Sequence, residues 1–172
     1  QPGCSRHTIW GCWRTRTARH RDRPWLSKRG ITLSILSVFF LAEGTNMPKY
    51  DSGDGFASED RCEFKNITSL EASGMLAVIR GSGDSVELMD EFELITDQNA
   101  EECTMSVPDD MVLKFSPLAN DQISPLSQQF AEETYKELAW STDDFIPVVT
   151  DLRRLSKRAI DTGKKMYLWN SL

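Results

Sequence analysis

The side chains able to do chemistry are unevenly spread along this chain. Both histidines, His7 and His20, lie in the first 25 residues with Cys4, Cys12 and three of the five tryptophans (Trp10, Trp13, Trp25). Two thiols and two imidazoles are zinc-type ligands, but a closed site needs a C-x2-4-C or an H-x3-5-H pair, and neither spacing occurs. Beyond His20 there is no histidine. Ser-His-Asp and Cys-His relays are therefore ruled out for that part of the chain, since both need an imidazole base. Carboxylates remain. Asp109-Asp110 and Asp143-Asp144 are adjacent pairs, yet chain neighbours point to different faces, and the second pair is placed to cap a helix. We expect a protein that is not an enzyme and uses no metal or cofactor.

Charge divides the chain as sharply as chemistry does. Residues 1–30 hold eight Lys and Arg against one acid, Asp22. Residues 47–172 hold 24 acids and 12 bases, a net charge of −12. Such a body repels phosphate backbones, so no nucleic-acid binding through it is expected. The mean hydropathy of −0.41 and 40% hydrophobic residues are slightly low for a chain that folds throughout.

Three readings compete for the basic head, residues 1–46. Residues 31–42 (ITLSILSVFFLA) form an apolar run behind Lys28-Arg29, like the core and basic flank of a secretory signal. The run is too short to span a bilayer, which takes about 20 residues. The Arg-, Ser- and Thr-rich composition also suits an organelle transit segment. In the third reading the head is not native and the protein starts at Met47. The secretory reading would make Asn66-Ile67-Thr68 a glycosylation acceptor at Asn66 and let Cys62 and Cys103 form one disulfide. Otherwise both thiols stay reduced in the cytoplasm.

Residues 47–67, which include the polar run DSGDGFASED, read as a disordered acidic segment. Residues 68–172 read as a small α-rich domain. Thr68-Ser69-Leu70-Glu71 is a capping-box pattern. Short strands are expected around 85–95, where Val86, Leu88, Phe92 and Leu94 share a parity, and around 111–115. Ser124-Pro125 marks a helix start, and Ser141–Asp144 caps a second helix. Phe145, Val148, Val149, Leu152, Leu155 and Ala159 follow helical spacing up to Gly163. The expected fold is mainly α, with a disordered N-terminal half and a C-terminal helical hairpin over 124–165.

One segment stands out as a binding candidate. Asp90, Glu91, Phe92, Glu93, Leu94 and Ile95, followed by Thr96-Asp97-Gln98, place an aromatic and an aliphatic three apart among acids. This resembles the motif by which selective-autophagy receptors of the reticulophagy type bind ubiquitin-like autophagy modifiers. The resemblance covers about nine residues and implies β-augmentation: the peptide pairs with a sheet edge, Phe92 and Ile95 fill apolar pockets, and the acids meet basic residues. Phe64-Lys65-Asn66-Ile67 matches the core pattern without the acids. Asp90, Leu94 and Ile95 also resemble an acidic dileucine sorting signal, which implies a clathrin-adaptor partner.

Shorter signals suggest modification. Asp51-Ser52-Gly53 with Ser58 resembles a phosphodegron read by β-transducin-repeat F-box proteins, and Arg153-Arg154-Leu155-Ser156 resembles a basophilic kinase site. Phosphate at Ser52, Ser58 or Ser156 would act by adding negative charge. Arg153, Arg154, Lys157, Arg158, Lys164 and Lys165 make the last helix basic, either as a solvated face or as a membrane contact. Together these features point to a cytoplasmic, non-catalytic adaptor that binds partner proteins through Asp90–Ile95 and the hairpin. The alternative is a small secreted or lumenal protein.

Overall fold

Strands from opposite ends of the described chain meet at the centre of the fold. The computed structural model describes residues 34–44, 56–81, 84–95, 102–134 and 138–171. Its strands are β1 (Leu36–Ala42), β2 (Arg61–Lys65), β3 (Glu102–Ser106) and β4 (Lys165–Ser171). They form one antiparallel sheet in the order β2-β1-β4-β3. β1 and β4 pair from Leu36 opposite Ser171 to Ala42 opposite Lys165. The helices are α1 (Ser69–Arg80), α2 (Ser85–Leu88), α3 (Asp109–Phe115), α4 (Asn120–Glu133) and α5 (Thr142–Thr162).

The two faces of the sheet carry different layers, because strand side chains alternate. Phe39 and Leu41 of β1, with Met166 and Leu168 of β4, join the helices in the main core, which includes Met75, Leu76, Phe130, Phe145 and Leu152. Val38, Phe40, Tyr167 and Trp169 form a second buried cluster on the other face, with Phe56, Ala42 and Ile95 packed against it. A central strand buried on both faces must be apolar at nearly every position.

The helix ends follow local rules. Thr68 accepts from the Leu70 amide at 3.2 Å, and Glu71 accepts from the Thr68 amide at 2.7 Å, closing the capping box of α1. Asp144 accepts from the Ser141 amide at 2.8 Å and so caps α5. Gly163 ends α5 at a φ of +70°, which a side chain would strain. α4 and α5 lie against each other through Phe130 and Phe145, with ring centroids 6.0 Å apart.

The mainly α reading with a disordered N-terminal half is corrected by the sheet. The apolar run that one of the three readings made a signal core supplies β1, and Leu36–Phe40 are paired on both sides. A signal core and a doubly buried strand are both short unbroken apolar runs, so composition does not separate them. The segment expected to be disordered supplies a 3-10 turn, Ser58–Asp60, and β2. The strand expected over 111–115 lies within α3, and the one over 85–95 is α2, a 3-10 turn at Met89–Glu91 and a short extended piece. α4 begins at Asn120, with Pro125 inside it, rather than at Ser124-Pro125. The tail beyond the expected hairpin is β4.

The disulfide expectation also fails. Cys62 and Cys103 lie on β2 and β3, the opposite edge strands. Three strand spacings separate them by about 14 Å, far beyond the roughly 4.4–6.8 Å that a bridge allows between Cα atoms. Among the described residues, no helix is long and apolar enough to cross a membrane.

Candidate functional site

The structure uses the Asp90–Ile95 segment to extend its own sheet. The Ile95 amide donates to the Thr104 carbonyl at 2.8 Å, and the Ser106 amide donates to the Glu93 carbonyl at 2.9 Å. Leu94 lies opposite Met105 in an antiparallel bridge. Glu93–Ile95 is thus a short extended piece bridged to the outer side of β3. Its side chains alternate: Leu94 packs against the main core, Ile95 packs against the second cluster, and Glu93 is exposed.

The six candidate residues have separate fates. Phe92 is 1% exposed and belongs to the core, so it cannot fill a partner's pocket. Leu94 and Ile95 are half-buried, while Asp90, Glu91 and Glu93 are exposed. Glu91 is tied to Arg80, which also holds Asp110 at 2.7 Å. Hydrogen bonds from Arg80 hold the carboxyls of Glu91 and Asp110 below their usual range. Of Phe64–Ile67, the second match, Ile67 is fully buried and Asn66 closes a turn onto β1.

A charge signal larger than the motif was missed in the sequence. Between Arg80 and Lys114 there are ten acids and no Lys, Arg or His. Asp84, Glu87, Asp90, Glu91, Glu93, Glu102 and Asp109 of that stretch are exposed. Glu93 lies on the extension itself, Asp90 and Glu91 lie in the turn just before it, and Glu102 begins β3. Counting bases along the chain, rather than looking for short motifs, would have found this edge.

The basic residues of α5 are largely engaged within the molecule. Arg154 donates to the carbonyls of Glu59 and Arg61, at 2.7 and 3.0 Å. Arg158 bonds Asp60, and Lys164 reaches the same carboxylate at 2.6 Å. Arg153 donates to Asn120 at 2.5 Å, and Lys165 lies 3.9 Å from Asp109. Burial works to raise the carboxyl of Asp60, but the hydrogen bonds and charges of Arg158 and Lys164 outweigh it and hold it below its usual range. This helix therefore pins the 58–61 segment to the sheet.

The modification candidates fall in three settings. Ser58 is exposed in its turn, Ser156 is 1% exposed on the inner side of α5, and Ser52 lies outside the described residues. A kinase cannot reach Ser156 in the folded chain. Asn66 has a φ of +60° and its Oδ1 accepts from the Ile35 amide at 2.9 Å, while Thr68 of the same tripeptide is used in the cap. The acceptor tripeptide is thus built into a turn. His7, His20, Cys4, Cys12, Asp97 and Gln98 lie outside the described residues. Among the described residues, no three His, Cys, Asp or Glu gather as metal ligands.

Comparisons with protein-family models, curated proteins and solved structures return no match.

Proposed function

We propose that the protein is a non-catalytic adaptor that binds protein partners at the acidic edge formed by β3 and Glu93–Ile95. The observation that carries this reading is the run of exposed acids from Asp84 to Asp109, with no Lys, Arg or His between Arg80 and Lys114, which includes Glu93 beside the β3 edge. Charge of one sign on an exposed edge steers oppositely charged partners and rejects like-charged ones. Asp60, Glu91, Asp110 and Asp144 are all held ionised by neighbouring donors, which makes each a poor general acid near neutral pH.

The reading changes the binding mode expected from the autophagy-type motif. Engagement of that type needs Phe92 in the partner, and extracting a buried phenylalanine costs about 3 kcal/mol. The acids and the extended backbone act instead, with Phe92 as the anchor that holds the segment in place. A cytoplasmic setting fits two buried thiols that cannot bridge each other.

Carboxyl-to-amine cross-linking of the full chain in cell extract tests the proposal. Cross-linked partners should map to Asp90 and Glu93, and the Asp90→Lys, Glu93→Lys variant should lose them. The control Glu63→Lys on β2 should keep them. An unchanged set of partners in the double variant overturns the reading.

A further inference from the structure

We propose that the outer edge of Glu93–Ile95 is a strand-addition site for an extended basic segment of another protein. This inference rests on the binding reading above and names the geometry and chemistry of the occupant. Leu94 and Met105 face each other with both interstrand hydrogen bonds made by their neighbours, Ile95 to Thr104 and Ser106 to Glu93. In an antiparallel ladder this is the non-hydrogen-bonded pair, whose own N–H and C=O point away from the partner strand. The N–H and C=O of Leu94 therefore face outward from the sheet. Among the described residues, no main-chain group takes either of them.

The opposite edge is built differently. β2 carries Arg61, Glu63 and Lys65, alternating in charge on one face, and Arg154 already occupies the Arg61 carbonyl. Mixed charge and a covering side chain protect a sheet edge from pairing. Beside Leu94, the exposed side chains of Asp90 and Glu93 are both acidic. A second copy of this chain would bring the same acids to that edge and be repelled. A strand carrying Lys or Arg opposite Glu93 would form a cross-strand ion pair there while its backbone bonds Leu94.

The test uses the full-length, 15N-labelled protein and an end-blocked eight-residue peptide of alternating Lys and Val. Saturable shifts at the Leu94 amide, with slowed exchange of that amide, are expected. Methylating the peptide's central amide nitrogens, or replacing its Lys by Glu, should weaken binding by about tenfold or more, since the bond to the Leu94 carbonyl and the close approach of the strands, or the charge match, are lost. Leu94→Pro should weaken binding similarly, because it removes the outward N–H. Unchanged β3 and β4 amide resonances would show that this variant is folded, and the methylated peptide carries the test if it is not. Shifts at Glu87, Asp90 and Glu102 that ignore methylation and spare Leu94 would overturn strand addition while leaving the adaptor reading intact. No saturable shift would overturn it as well, whereas the cross-linking result alone decides the broader reading.

Discussion

Arg80 grips Glu91 with both terminal nitrogens, Nη1 on Oε1 and Nη2 on Oε2, each at 2.6 Å. The same guanidinium reaches Asp110 through Nε, so one side chain ties the end of α1 to the turn before Phe92 and to the start of α3. The acids are partly exposed and solvent screens the pairs. Arg80→Ala should cost about 1 kcal/mol in urea unfolding. The deficit should shrink in 1 M salt, where screening weakens the pairs in the parent protein. A salt-independent deficit would mean that the contribution of Arg80 is packing of its stem.

Phe92 should behave as a core residue and not as a binding residue. Phe92→Ala should destabilise by about 3–5 kcal/mol, as expected for a cavity at a fully buried ring. Glu93→Ala, at an exposed neighbour, should stay within about 0.5 kcal/mol. Thermal melts of the two variants decide. Equal stability would place Phe92 at the surface and restore the pocket-filling mode.

How much of this was legible in the sequence depends on which physical signal each residue carries. Thr68, Glu71, Ser141 and Asp144 act through bonds made within three or four residues, and their caps are readable locally. The helical stripe from Phe145 to Ala159 is readable because its burial follows the helix period. β1 is not, since its meaning depends on β4, more than 120 residues away. Leu36–Ala42 shows neither strand alternation nor helical spacing, because both of its faces are buried. Of the segment that the Phe92-x-x-Ile95 pattern marked as extended, only Glu93–Ile95 is so, and the pocket that Phe92 fills belongs to its own chain.

Asp60 should make the protein acid-sensitive in a narrow window. It is buried between Arg158 and Lys164, and its pKa in the folded chain lies below its ordinary value of 3.8. A carboxyl depressed on folding stabilises fully above its unfolded value, and the gain is lost as pH falls through the folded one. Asp60→Asn should therefore cost stability at pH 6, by about 2 kcal/mol for lost charged hydrogen bonds. The gap to the parent should close below about pH 4. A gap that is constant from pH 6 to pH 2 would sink this account.

The thiols should report on unfolding. Burial pushes the pKa of the Cys62 thiol far above the usual thiol range, so almost no thiolate forms near neutral pH. Ellman's reagent should label Cys62 only as fast as the chain opens, and non-reducing peptide mapping should find no Cys62–Cys103 link. Rapid labelling of Cys62 in the native protein would contradict its place on the core side of β2.

Ser58 and Ser156 resemble phosphorylation sites equally well in sequence, but the fold separates them. Ser156 faces the packed side of α5 beside Leu155 and Leu152. Ser156→Asp would bury a carboxylate without a matched partner, and such groups cost several kcal/mol or force local opening. Ser58 begins an exposed turn, and Ser58→Asp should shift stability by no more than about 0.5 kcal/mol. The comparison is made by melting both variants and treating the parent with a basophilic kinase. Phosphate should enter at Ser156 only in chains already unfolded, because the helix must be lost before the hydroxyl can reach a kinase. Stoichiometric modification of Ser156 with the fold intact would show that the inner side of α5 opens readily.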